Sequence, residues 1–124
     1  MNMVFRTFCV VSLTVAAPSI VVAQSNTAFD GTYAGVSNTQ TGGESGCDPF
    51  NPTPRPLTVT NGIAQYWGGS LDLFEGDVSR QGDFKMLDMF ANILIGKIDP
   101  SGKATGSISV GYNGCILTAV WQRQ

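Results

Sequence analysis

Two residue types in this chain have spacings that invite a chemical reading: the cysteines and the carboxylates. The cysteines stand at Cys9, Cys47 and Cys115, and there is no histidine anywhere in the 124 residues. A thiol nucleophile needs an imidazole or another cation beside it to hold the thiolate. A zinc centre needs about four cysteine or histidine ligands. Neither condition is met, so no catalytic residue, metal ligand or cofactor motif is assigned. If Cys9 leaves with an export leader, Cys47 and Cys115 remain as a single pair, and an exported chain with an even cysteine count reads as disulfide-bonded. The bond would close the loop between positions 47 and 115, and loop-entropy reasoning gives it ~4 kcal/mol at most.

The carboxylates are densest at Asp72, Glu75, Asp77, Asp83 and Asp88. Glu75 and Asp77 lie two apart, which on a strand puts them on one face about 6–7 Å from each other. Such a pair suits cation binding or acid–base work on a glycoside. Both alternate with Phe74, Gly76 and Val78, the pattern of a solvated outer face. The apolar candidates are Phe50, Ile63, Trp67 and Phe74, read as a contact surface together with the loop 41–56. The competing reading makes Trp67 a plug over a barrel mouth. MLDMFANILI (86–95) reads as two core strands joined through Ala91-Asn92, or as the methionine-rich wall of a ligand pocket.

These residues need a scaffold, and the scaffold begins with an address. Arg6, an uncharged apolar run from Phe8 to Val22 and the Val21-Val22-Ala23 site form an export leader over 1–23. The run is too short, and too interrupted by Pro18 and Ser19, to span a membrane comfortably. The rest of the chain, 24–124, is one small domain. The net charge is −2, with only 13% charged residues. A thin, mildly acidic surface argues against nucleic acid and against stable association with an anionic membrane.

Glycines set the spacing of the elements. Asn61-Gly62, Gln81-Gly82 and Ser101-Gly102 fall 20 residues apart, and GDVSRQGDF (76–84) aligns with GKIDPSGKA (96–104). A second set of breaks, at Gly68-Gly69, Ala91-Asn92 and Asn113-Gly114, sits about halfway between. Turn residues at this spacing, separated by alternating apolar residues, mean successive hairpins. Eight strands are expected near 29–38, 56–60, 63–67, 70–79, 83–90, 93–99, 103–111 and 115–122. The predicted pairs include Leu57 with Tyr66, Val78 with Phe84, and Ile98 with Ala104. A two-residue turn at Asn113-Gly114 would set Trp121 opposite Gly106, the largest side chain over none. DPFNPTPRP, with four prolines, is an ordered loop or an edge cover. The fold class is therefore all-β: an antiparallel up-and-down meander of about eight strands, closed or nearly closed into a small barrel, with one disulfide.

Gly31-Thr32-Tyr33 early and Arg123 late resemble the calycin-type up-and-down barrels, such as avidins and bacterial metalloprotease inhibitors. Those open on Gly-x-Trp and end on an arginine that packs across the first strand. Tyr33 stands where they carry tryptophan. The Asp-Gly-Thr-Tyr opening, single cysteine pair, glycine-spaced strands and terminal Trp-x-Arg also resemble short exported bacterial β-proteins. That resemblance implies a periplasmic or secreted location and brings no activity with it.

The function expected is a non-catalytic binding module for a protein partner or a small apolar ligand. The alternative is an inhibitor of proteases or other hydrolases carrying a stapled loop on a rigid barrel. A glycosidase built on Glu75 and Asp77 is the third reading.

Overall fold

The computed structural model describes residues 26–43, 46–47, 49–69, 72–110 and 114–124, together with Ser12. Apart from Ser12, the expected leader lies outside the described residues. Eight strands succeed one another: β1 (Gly31–Thr41), β2 (Leu57–Thr60), β3 (Ile63–Trp67), β4 (Leu73–Asp77), β5 (Asp83–Leu87), β6 (Ile93–Ile98), β7 (Lys103–Val110) and β8 (Cys115–Arg123). Each pairs antiparallel with the next, and β8 pairs with β1, so the sheet is a closed barrel without an edge strand. Alternation drives the closure. In β3 and β5 every second residue is buried, and the inward rows of all strands meet in one core. Trp121, Tyr33, Leu57, Met86, Leu94 and Ile98 are its largest fully buried side chains.

The 20-residue glycine spacing is a ring of turns at the lower end. Asn61 and Gly62 both take positive φ, 52° and 75°, the requirement of a type I′ hairpin. The carbonyls of Gly62, Gly82 and Gly102 accept the N–H groups of Val78, Ile98 and Arg123, each at 2.8 Å. Every lower turn is thus tied to the end of the next strand that descends to it. Gly82 sits at φ +92°, and a Cβ there would collide with the carbonyl oxygen of Ile98. Gly82→Ala should lower stability by about 2 kcal/mol in urea denaturation, from backbone strain plus displacement of the Ile98 carbonyl. An unchanged midpoint would mean that the turn relaxes freely.

Below these turns the segment 26–30 closes the barrel floor. Asn26 Nδ2 donates to the carbonyls of Val78 (3.3 Å) and Ser79 (2.8 Å). The carboxylate of Asp30 accepts the N–H groups of Asn61 (2.8 Å) and Gly62 (3.0 Å). The Tyr33 hydroxyl donates to Phe29 O at 2.6 Å. Arg123 lies over the Tyr33 ring, 5.3 Å from its centroid, and donates through Nη2 to the carbonyls of Ala28 and Asp30.

Several expectations are corrected in detail. Trp121 stands opposite Ala104, and Gly106 opposite Ala119, two residues from the predicted register. Four positions, 111–114, separate the end of β7 from the start of β8, where two were expected. A slip of two keeps every side chain on its own face, because the strand period is two. Trp121 still finds small neighbours: Ala104 on β7, Gly35 on β1, and Gly106 diagonally, where a Cβ would come within 3.3 Å of Cζ3. β1 runs longer than predicted at its upper end, reaching Thr41. β4 is described from Leu73 to Asp77, while positions 70 and 71 of the expected strand lie outside the described residues. β5 stops at Leu87, because Asp88 caps a turn over 88–92 in which Ala91 takes φ 61°. In MLDMFANILI only Met86, Asp88 and Leu94 are buried; Leu87, Ile93 and Ile95 face outward, and Met89 and Phe90 at the turn are 79% and 73% exposed.

Candidate functional site at the barrel mouth

The upper end is built differently from the floor. β1 carries a bulge between Gly35 and Ser37. Tyr33 points inward, Val36 is the extra residue and faces solvent, and the inward row resumes at Asn38. Above Tyr33, β1 parts from β2, with which it pairs only over Gly31–Tyr33. The proline-rich segment fills the gap. Asn38 N–H donates to Pro52 O at 2.8 Å and Asn38 Nδ2 to Asn51 O at 2.8 Å. Pro54 approaches so closely that a Cβ on Gly35 would collide with its carbonyl oxygen. The indole N–H of Trp121 donates to Arg55 O at 2.8 Å, which fixes the end of the segment to the core. The Cys47–Cys115 disulfide, with Cα atoms 6.0 Å apart, holds the start of the same loop to the head of β8. A strand edge that would otherwise be open is covered by a loop pinned at both ends.

Two cavities open at this mouth and share Tyr66, Gly68 and Leu117 in their walls. One, of about 200 Å³, is further lined by Asp72, Phe74, Asn92, Leu94, Ile108 and Ser109. The other, of about 400 Å³, lies under the proline-rich loop against Asn38, Phe50, Thr53 and Arg55. Below them Tyr66 packs edge-on against Trp121, with centroids 5.3 Å apart, so the cavities do not continue into the packed core.

The polar groups here are incompletely matched. Asn38 is only 9% exposed, and its Oδ1 has no hydrogen-bond partner. Asp72 Oδ1 is buried and likewise receives no donor. The Arg55 guanidinium makes one long bond, from Nη1 to Gly69 O at 3.4 Å. Burial pushes the Tyr66 phenol up, against the pull of Arg55 and together with the charge of Asp72, so it stays neutral. Burial likewise raises Asp72, helped by a hydrogen bond to the Asp88 carboxyl and by its charge. For Asp88 the desolvation is outweighed by the Asn92 side chain and N–H, by the Asp72 carboxyl and by the Phe90 N–H, which hold it below the usual carboxylate range. Of the two facing carboxyls, Asp72 therefore takes up the proton first.

The two shifts carry opposite signs for stability. Asp88, depressed in the fold, stabilises above the unfolded carboxylate range, and that contribution is lost as pH falls through its folded value. Asp99 behaves alike, held down by the Ser101 hydroxyl and the Lys103 N–H in its own turn. Asp72, raised in the fold, contributes most when protonated, and its contribution is lost as pH rises through its folded value. Asp72→Asn should therefore raise Tm at neutral pH and lose that advantage in acid. A variant less stable than the parent at neutral pH would overturn this reading of the pair.

Of the four residues singled out as a contact surface, Phe74 lies inside the barrel, while Phe50, Ile63 and Trp67 are exposed. Phe74 is 2% exposed; it points inward opposite Tyr66, the rings 6.2 Å apart, on the alternation that sends Glu75 and Asp77 outward. Trp67 is 45% exposed on the outer wall near the mouth, and so does not plug it. Ile63 lies on the same outer row four residues below, about 13 Å away at the strand rise. Phe50 borders the larger cavity at the mouth, and the inward Phe74 lines the smaller one. Glu75 and Asp77 are exposed, and the Glu75 carboxylate accepts a bond from Gln65 Nε2 at 2.7 Å. Glu75 lines only an open hollow of about 360 Å³ with Thr60, Asn61, Ile63 and Gln65. Among the described residues no group of three or more Cys, Asp or Glu could hold a metal ion, and no helix is long and apolar enough to cross a membrane. Asn38, Arg55, Tyr66 and Asp72 come together from β1, the proline-rich loop, β3 and the β3–β4 connection. Sequence offered one cue for them: the pairing predicted for Leu57 puts Tyr66 at the end of an inward row, beside the Gly68-Gly69 break.

No protein-family model, no curated protein and no solved structure matches this chain, so its all-β barrel with one disulfide is placed by its own geometry alone.

Proposed function

We propose that the protein is a non-catalytic binding module that takes a small ligand at the loop-bearing mouth of its barrel. The observation that carries this reading is the contrast between the two ends. The floor is closed by 26–30 and the interior is packed, whereas the mouth holds a two-lobed cavity with buried acceptors lacking donors. Cavities with aromatic walls and a few convergent polar groups are where small molecules bind. The lining offers hydrogen-bonding groups and ring faces, and no imidazole or free thiol with which to form a nucleophile–base pair. A polar ligand suits this site better than the expected small apolar one, because the interior is packed and the mouth carries the unmatched polar groups. The disulfide supports an oxidising location, periplasmic or extracellular, for a protein exported from a bacterium.

The test is an NMR fragment screen on the whole folded chain. Shifts should cluster at Phe50, Tyr66, Leu117 and the Trp121 indole N–H. Saturable shifts confined to the outer wall, at Ile63, Trp67 or Glu75, would move the site elsewhere and sink the proposal.

A further inference from the structure

The lining of the mouth also defines what it binds, and this inference rests on the mouth being the binding site. We propose that the ligand is a neutral saccharide of at least two units. Each lobe presents an unmatched acceptor, and the larger adds a donor. In the larger lobe Asn38, nine-tenths buried, has its amide nitrogen committed to Asn51 O, so the flip is fixed and Oδ1 is left as an acceptor without a donor. The Arg55 guanidinium, whose one hydrogen bond among the described residues is the long one to Gly69 O, borders the same lobe. In the smaller lobe Asp72 Oδ1 is the unmatched acceptor. The Tyr66 phenol stands at the waist between them.

Other ligand classes fail on one of these groups. An apolar molecule would leave both acceptors unmet, and each unmet buried acceptor costs about 1–3 kcal/mol. An anion of either size would be held by Arg55 but repelled by Asp72 and Asp88. A simple cation would suit Asp72 and face the Arg55 guanidinium across the waist. A hydroxyl both donates and accepts, so a polyhydroxylated ring can serve Asn38 and Asp72 as donor and Arg55 as acceptor without any net charge. The faces of Phe50 and Tyr66 supply flat apolar surfaces for the C–H faces of such rings. Two adjoining cavities that share Tyr66, Gly68 and Leu117 in their walls suit two linked rings.

The experiment titrates the ¹⁵N-labelled full chain with neutral disaccharides of glucose, galactose and N-acetylglucosamine in both α and β linkage. Glycylphenylalanine and cyclohexanol serve as zwitterionic and apolar probes. The expected result is a saturable shift of the Trp121 indole N–H and of Leu117 with at least one disaccharide, and none with the two other probes at equal concentration. Phe50→Ala alters an exposed side chain and Asp72→Leu removes the acceptor; each should weaken that binding at least tenfold while the spectrum stays that of a folded barrel. Mouth shifts from the dipeptide or the alcohol, with none from any disaccharide, would overturn the saccharide assignment and leave the mouth as a binding site. Absence of saturable mouth shifts with every probe would overturn both. Undiminished disaccharide affinity in both variants would show that the sugar binds elsewhere.

Discussion

Trp121→Ala should leave the chain largely unfolded near physiological temperature. The side chain is fully buried, and it fills the space that Gly35, Ala104 and Gly106 leave open on the strands around it. Truncating a buried tryptophan removes about 3–5 kcal/mol through lost transfer energy and the cavity left behind. Small domains have about 5–15 kcal/mol in total. The loss is compounded at this position, because the indole N–H also anchors the proline-rich loop through Arg55 O, and Tyr66 loses its edge-on partner. Far-UV circular dichroism against urea measures the effect without relying on the fluorophore removed. Trp121→Phe should recover most of the stability, since it keeps most of the volume and forfeits mainly the hydrogen bond, about 1 kcal/mol. If the alanine variant were to melt within a few degrees of the parent, Trp121 would not be the centre of the core.

Replacing both Cys47 and Cys115 by alanine should lower stability by about 2–4 kcal/mol, and Tm by roughly 10–30 °C. The disulfide spans 68 positions in sequence. Its main effect is to restrict the unfolded chain, so the loss scales with that separation and not with local contacts at the bond. The single replacement of either residue should cost the same as the double, because each breaks the same link. A second consequence is specific to this barrel. The bond fixes the start of the loop whose far end is fixed by Arg55 and Trp121, so reduction should broaden the NMR signals of Phe50 and Asn38 before it affects the floor residues Tyr33 and Phe29. Equal Tm values for oxidised and reduced protein would remove the staple from the account of stability.

The sequence by itself determined the fold class, the strand count and the cross-link. The reason is that these features are local. Alternation of apolar and polar residues specifies a strand and its inward row, and glycine or asparagine at fixed offsets specifies turns that need positive φ, as at Asn61-Gly62. The hairpin pairings predicted for Leu57, Val78 and Ile98 arise from those two rules alone. With Cys9 assigned to the expected leader, the remaining pair permits one bond.

Only the tertiary structure decided the mouth. The bulge at Val36 shifts the parity of β1, so that Asn38 takes the inward row where an unbroken alternation from Tyr33 would have placed Ser37. Nothing in β1 alone calls for it: the bulge accommodates a segment more than ten residues away, Asn51 to Pro54, pressing on Gly35. The length of the β7–β8 turn set the register of Trp121 for a similar reason. Both arrangements keep the faces correct, and packing against Gly35 and Ala104 selects between them. Phe74 and Tyr66 turn inward together as a cross-strand pair, which leaves Trp67 outside. The site groups arrive from four separate segments, and their meeting depends on barrel closure, an energy summed over the whole inward surface that no single stretch of sequence records.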